Sequence, residues 1–288
     1  MGYRLIDEAA CYANEKECGQ GIKRAIDEGI VKREDLWVTS KLWNTCHRKE
    51  HVKLACQKTL SDLGLDYVDL YLIHFPVSLR FIPFEKAYPH GFSENINGEE
   101  KMFEDEVSIA ETWAAMEELV KEGLVKNIGV SNFNIGLCRE LMYSAKIKPA
   151  VNQVELHPYL CQETFLRFCA EKDIKITAYS SLGAGSYVPV GQAEVHENAL
   201  EEQCIKDIAA KHGKSPAQVA LRWALQRNTA IIPKSNNVER IKENMAVFDF
   251  NLSDDEMKTI SALDKHRRFN DPTYFTQKFY GGFYPIYE

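Results

Sequence analysis

Residues 3–24 read YRLIDEAACYANEKECGQGIKR. Tyr3–Asp7 is a short strand-like run, and the amphipathic stretch Glu15–Glu28 follows it as a helix. A strand leading into a helix fits two architectures. One is an open, doubly wound sheet that holds a dinucleotide on a Gly-x-Gly-x-x-Gly turn; the other is a closed barrel. The nearest approach to that turn is Gly19-x-Gly21-x-x-Arg24. It lacks the third glycine and falls inside the helix rather than at the strand end, so a dinucleotide is not bound here in the doubly wound manner.

The same alternation continues along the chain. Leu36–Lys41 reads as a strand before a helix over Lys49–Leu63. Tyr67–His74 is a strand, followed by a long loop and a helix over Ile109–Glu122. Asn127–Ser131 precedes a helix over Ile135–Ser144, and Ala150–Glu155 precedes one over Glu163–Lys172. Lys175–Ser180 leads through a Gly-rich loop to helices over Leu200–Lys211 and Pro216–Gln226, and Thr229–Pro233 leads to a helix over Val238–Val247. Ser215-Pro216 marks a helix start, Gly64 and Gly213 mark helix ends, and Ser253–Glu256 is a capping box that opens one more helix. Repeated βα units imply a parallel sheet covered by helices, and their uninterrupted repetition favours a (β/α)8 barrel. Seven strands are countable against the eight a barrel needs. The first begins at residue 3, so the absent βα unit is placed at the N-terminus, with two strand edges then unpaired. One domain over residues 1–288, with 264–288 as a C-terminal loop, is expected.

Composition sets outer bounds. The chain has 288 residues, 45% hydrophobic and 27% charged, which is ordinary globular usage. A net charge of −7 argues against general binding of nucleic acid or anionic membrane. No stretch approaches the roughly 20 apolar residues of a membrane span. The N-terminus has no signal-peptide pattern, and Ile6 breaks a myristoylation motif at Met1-Gly2, so a cytoplasmic location is expected. None of the eight cysteines forms a C-x-x-C pair, as expected of free thiols in a reducing compartment. His47 and His51 stand four apart without a third ligand nearby, so a solvated helix start is expected there rather than a metal site.

Active sites of barrels lie at the C-terminal ends of the strands. The first strand ends at Asp7 with Tyr12 just after, the second at Lys41 and the third at His74; later ends bring Ser131-Asn132, Gln153 and Glu155, Tyr179-Ser180, and Lys234-Ser235-Asn236. A lysine near a phenol stabilises the phenolate, and a carboxylate near the lysine keeps it charged. A neutral histidine alongside orients a carbonyl oxygen. Asp7, Tyr12, Lys41 and His74 together therefore suit proton donation during carbonyl reduction.

These residues lie in segments that resemble the aldo-keto reductase family: GYRLIDEAACYANE, VTSKLWN, DLYLIHFP, IGVSNFN, VNQVELHPY, AYSSLG and IPKSNNVERIKEN. The long loop HFPVSLRFIPFEKAYPHGF and the segment RFNDP look most like its xylose reductase branch. The resemblance implies a (β/α)8 barrel and NAD(P)H-dependent reduction of aldehydes and ketones. It makes Tyr12 the general acid, with Asp7 and Lys41 lowering its pKa and His74 orienting the carbonyl. It assigns Ser131, Asn132 and Gln153 to the cofactor carboxamide and stacks Tyr179 on the nicotinamide. The loop bearing Ser180, Leu182 and Ser186 wraps the pyrophosphate. Lys234, Ser235, Asn236 and Arg240 hold the 2′-phosphate, and Glu243 and Asn244 lie near the adenine. NADPH is thus the favoured cofactor, with NADH also accepted by members carrying Asn236. Trp43, Phe75 and Asn270 line the substrate pocket by the same resemblance, and the substrate is a small aldehyde or sugar. The aromatic tail (Tyr274, Phe275, Phe279, Tyr280, Phe283, Tyr284, Tyr287) forms a pocket wall or packs against the barrel side or a partner. The family includes monomers and homodimers, and members begin earlier, with a hairpin, first strand and first helix. The alternative function is a cofactor-binding, non-catalytic relative.

Overall fold

Leu5–Asp7 (β1), Trp37–Leu42 (β2) and Val68–Ile73 (β3) run parallel and pair in chain order, Ile6 opposite Val38 and Lys41 opposite Leu72. All six residues of β3 and five of the six in β2 are buried, as strands covered on both faces require. The loop after β3 carries an exposed antiparallel hairpin, Glu94–Ile96 (β4) with Glu99–Lys101 (β5), which sequence periodicity does not announce. Val125–Ser131 (β6) then pairs parallel to β3, with Leu72 opposite Gly129. A Cβ on Gly129 would lie 2.5 Å from the Val151 carbonyl oxygen, so only glycine fits that strand.

This is a computed structural model, and it describes residues 1–89, 91–280 and 284–287. The chain divides into two compact units, one formed by Arg4–Asn152 with Pro272–Glu288 and the other by Met1–Tyr3 with Gln153–Asp271. In the first unit the strands alternate with helices Glu15–Asp27 (α1), Lys49–Leu63 (α2), Ile109–Lys121 (α3) and Ile135–Ser144 (α4). Trp113, Met116 and Leu119 share one face of α3 and are fully buried. Gly19 on α1 packs so closely on α2 that an added Cβ would fall 2.3 Å from the Leu63 carbonyl oxygen. The strand Val151–Glu155 (β7) spans the division between the units.

In the second unit, Glu163–Glu171 (α5) precedes Lys175–Tyr179 (β8), and β8 pairs parallel with Thr229–Ile231 (β9). Between them lie Gln203–His212 (α6) and Pro216–Gln226 (α7); Val238–Met245 (α8) and Asp254–Ser261 (α9) follow β9. Trp223, Val219 and Ala224 of α7 form a core with Ile205 and Ala209 of α6 and Ile260 of α9. The helix signals read from sequence are in place. Ser215 and Gln218 cap α7 reciprocally, Ser253 and Glu256 do the same for α9, and Gly64 and Gly213 close their helices with positive φ.

The tail departs from the expected loop. Thr273–Tyr280 (α10) is helical, and the Phe279 carbonyl accepts the Met102 N–H at 3.0 Å. Phe279, Tyr284 and Ile286 pack on Val77, Leu79 and Met102 within the first unit. Phe283 and the side chains of Tyr274 and Phe275 lie outside the described residues.

Candidate active site

Parallel register brings three strand ends together in the first unit. Asp7 closes β1, Lys41 sits one residue from the end of β2, and His74 follows β3 with its N–H bonded to the Leu42 carbonyl at 3.1 Å. A short 3-10 turn, Ala10–Tyr12, carries Tyr12 back over β2. The Lys41 ammonium, wholly buried, donates to Asp7 Oδ2 at 2.6 Å, to the Glu8 carbonyl at 2.9 Å and to the Tyr12 hydroxyl at 3.1 Å. Burial alone would depress the ammonium; the charge of Asp7 and the hydrogen bonds to Asp7 and Tyr12 outweigh it and raise the pKa, so Lys41 stays protonated. Asp7 thus anchors the cation and Tyr12 shares it.

Tyr12 is about half exposed, at 47%. Desolvation at its strand-end position raises its pKa, Lys41 works against that rise, and Asp7 by itself adds to it. Asp7 serves Tyr12 by holding Lys41 in place and charged. His74, which is buried, is held well below its usual pKa by desolvation and then by the positive charge of Lys41, so the ring is neutral. Tyr12 and Trp43 meet it edge-on, with ring centroids 6.0 and 5.2 Å away, and Phe75 stacks on it at 5.0 Å.

Trp43 and Phe75, read as pocket residues, are joined by Phe92 from the long loop, and the Trp43 indole N–H donates to the Gly91 carbonyl at 3.0 Å. Phe92 carries no sequence signal of its own. Ser131, the last residue of β6, and Asn132 just after it are buried. Asn132, at φ 65°, uses Nδ2 to reach the His74 carbonyl (2.9 Å) and Ser131 Oγ (3.1 Å), while its Oδ1 accepts from Tyr287 at 2.7 Å. The end of the aromatic tail therefore meets a residue read as cofactor-binding.

In the second unit Gln153 is buried, and two residues along β7 the fully buried Glu155 organises a network. Its carboxylate accepts the backbone N–H groups of Phe269 and Asn270 at 2.7 and 2.9 Å and faces His157 Nε2 at 2.8 Å. Asn270 so held donates through Nδ2 to the Tyr179 hydroxyl at 3.1 Å. Ser180 Oγ lies 2.6 Å from the Tyr187 hydroxyl, and Ser186 ends the 3-10 turn Ala184–Ser186.

A cavity of about 380 Å³ in this unit is lined by Leu182, Lys234, Ser235, Arg240, Glu243 and Asn244, six of the residues read as cofactor-binding. Asn198, Leu200 and Glu201 and the first turn of α7 complete it and were not legible from spacing. Asn236 is exposed and does not line it; the neighbouring Asn237 caps α8. Two cations beside a helix N-terminus make a donor set suited to a phosphate ester.

The expected solvated helix start at His47 and His51 is corrected. His47 is buried, its pKa lowered to about 4 by desolvation, and His51 stacks on Phe81 at 3.6 Å. All eight cysteines are free thiols. No helix among the described residues is long and apolar enough to cross a membrane.

The Lys41-centred cluster of the first unit and the phosphate-type cavity of the second each fit, within their own unit, a nicotinamide-dependent oxidoreductase, the class to which its relatives belong. Residues 1–265 match the aldo/keto reductase family, and the chain belongs to it. It is 54% identical over 273 residues to the NAD(P)H-dependent D-xylose reductase of Scheffersomyces stipitis, covering 94% of this chain and 85% of that one. It is 48% identical over 286 residues to an NADPH-dependent aldose reductase of Saccharomyces cerevisiae, covering 97% and 88%. The solved structure of the aldose reductase from Schistosoma japonicum superposes with a TM-score of 0.85 at 38% identity, covering 100% of this chain and 87% of that one, so the fold is that of an aldose reductase.

Proposed function

We propose that this chain reduces aldoses, D-xylose among them, to the corresponding alditols with NADPH, and accepts NADH as a second cofactor. The observation that carries this reading is the buried Lys41 ammonium shared between the Asp7 carboxylate and the Tyr12 hydroxyl. The names of the relatives support the substrate class and the cofactor.

A nicotinamide cofactor held by the residues named below would supply the hydride for the carbonyl carbon. Tyr12 donates its phenolic proton to the carbonyl oxygen as negative charge develops there. Lys41 stabilises the resulting phenolate, and Asp7 holds Lys41 in line. Neutral His74 orients the carbonyl oxygen by donating a hydrogen bond. Trp43 and Phe75 exclude water from the reacting centre, and Asn270 holds a substrate hydroxyl. Lys234, Ser235 and Arg240 would hold the 2′-phosphate, with Asn236 beside them outside the cavity, and Glu243 and Asn244 would lie near the adenine. The loop bearing Ser180, Leu182 and Ser186 would wrap the pyrophosphate. Ser131, Asn132 and Gln153 would hold the carboxamide, and Tyr179 would stack on the nicotinamide.

The chain is read as one domain over residues 1–288 with 264–288 as its C-terminal segment, its seven parallel strands belonging to a (β/α)8 barrel. It is read as cytoplasmic, monomeric or homodimeric, without nucleic-acid or membrane partners. The test follows NADPH absorbance with D-xylose, D-glucuronate and a reactive aromatic aldehyde for the wild type and for Tyr12→Phe. Turnover by the wild type and a loss of at least about 100-fold in Tyr12→Phe, with NADPH binding retained, is the expected result. Equal, absent turnover in both would favour a cofactor-binding, non-catalytic relative.

A further inference from the structure

The Cys11 sulfur lies 3.7 Å from His74 Nδ1. Cys11 is half-buried in the 3-10 turn that also carries Tyr12, so one backbone turn presents both a phenol and a thiol to the strand ends. A neutral imidazole donates from one ring nitrogen and accepts at the other, and the partner of one nitrogen decides which tautomer forms. Nε2 of His74 has no hydrogen-bond partner among the described residues, which leaves Cys11 as the group that decides.

We propose that Cys11 is a positioning residue for carbonyl reduction: its S–H donates to His74 Nδ1 and thereby places the ring proton on Nε2, the nitrogen available to the substrate carbonyl. The inference rests on the reductase reading given above.

The direction of the contact follows from the two protonation states. Burial pushes the thiol up to about 12, so it remains S–H at physiological pH. Burial and the nearby positive charge of Lys41 keep the ring neutral. A neutral thiol is a weak acceptor, so an Nδ1–H pointed at sulfur would be poorly satisfied in a buried site. With sulfur as donor, Nδ1 is satisfied and Nε2–H is left to donate to an incoming oxygen. The opposite tautomer would present a lone pair to a carbonyl oxygen and repel it. His74 cannot settle the matter by becoming doubly protonated, because its site opposes the charge.

The test uses the NADP⁺-saturated enzyme with ¹⁵N-labelled histidine, His74 being assigned by its disappearance in His74→Gln. The expected wild-type spectrum has an unprotonated, pyridine-type Nδ1 and a protonated Nε2. Cys11→Ala and Cys11→Val remove the donor. Both are expected to populate the Nδ1–H tautomer and to lower kcat/KM for D-xylose about three- to tenfold, with the NADPH dissociation constant unchanged. An Nδ1–H ring in the wild type, or a tautomer unmoved in a folded Cys11 variant, overturns the proposal. Should neither variant fold, the wild-type spectrum alone decides it. Failure of the reductase reading is seen separately, as Tyr12→Phe that turns over like the wild type, and does not alter this spectrum.

Discussion

Lys41 has no exposed surface, yet its ammonium lies 2.6 Å from the Asp7 carboxylate, which is itself nearly buried. Two opposite charges taken out of water in this way hold each other in place, and neither is tolerable alone.

Lys41→Met is therefore expected to do two separable kinds of harm. It leaves Asp7 buried without its cation, at a cost of about 3–5 kcal/mol in folding stability. It also removes the charge that steadies the Tyr12 phenolate. Urea denaturation reads the first effect and single-turnover kinetics the second. The double variant Asp7→Asn/Lys41→Met should recover much of the stability and none of the turnover.

The phosphate-type cavity predicts a split between cofactors. Lys234→Ala and Arg240→Ala should each raise the KM for NADPH about tenfold, the magnitude of one charge-assisted hydrogen bond. The KM for NADH should hardly move. Equal effects on both cofactors would place these cations elsewhere than on the 2′-phosphate.

Glu155 supports the segment that carries Asn270. Glu155→Ala leaves the N–H groups of Phe269 and Asn270 without their buried acceptor. A loss of about 2–6 kcal/mol is expected, since each of the two unsatisfied groups costs about 1–3 kcal/mol. The KM for aldoses should rise as Asn270 loses its seat. Calorimetry and steady-state kinetics on Glu155→Gln, which keeps an acceptor oxygen, provide the control.

Acid should weaken the protein in two steps. His47 is buried neutral with a pKa lowered to about 4, below its unfolded value of about 6.5. The unfolded chain binds that proton first, so the stability it contributes is full above about pH 6.5 and is lost as pH falls towards 4. Glu256 is lowered to about 2: desolvation opposes the shift, and Lys211, the Ser253 backbone N–H and His212 outweigh it. Its contribution is present above the unfolded carboxylate value of about 4.3 and disappears as pH drops towards 2. Thermal melts between pH 7 and 2.5 should show both slopes, and Glu256→Gln should flatten the lower one.

Much of this molecule is legible because its information is local. The bounds of α2, α4 and α7 follow from caps and periodicity, and Asp7, Lys41 and His74 follow from counting strand ends. The hairpin at 94–101 is not legible, because its strands are three residues each, ENI and EEK, too short to show an alternation. Helix α10 escapes notice because TYFTQKFY is poor in strong helix formers. Glu155 is visible as a strand end but not as a hub, since its partners Phe269 and Asn270 are more than a hundred residues away. The direction of the Tyr12 shift depends on desolvation, which sequence spacing does not reveal.

Gly19 belongs to the stretch that first suggested, and then excluded, a phosphate turn. Its Cα instead lies against the Leu63 carbonyl, with no room for a methyl group. Four residues upstream, Glu15 accepts the hydroxyl of Ser40 at 2.7 Å, next to Lys41 in β2. Gly19→Ala would wedge α1 away from α2 and carry Glu15 with it, loosening the mount of the strand that bears Lys41. The seating of the buried ammonium thus depends on a missing methyl group one helix away.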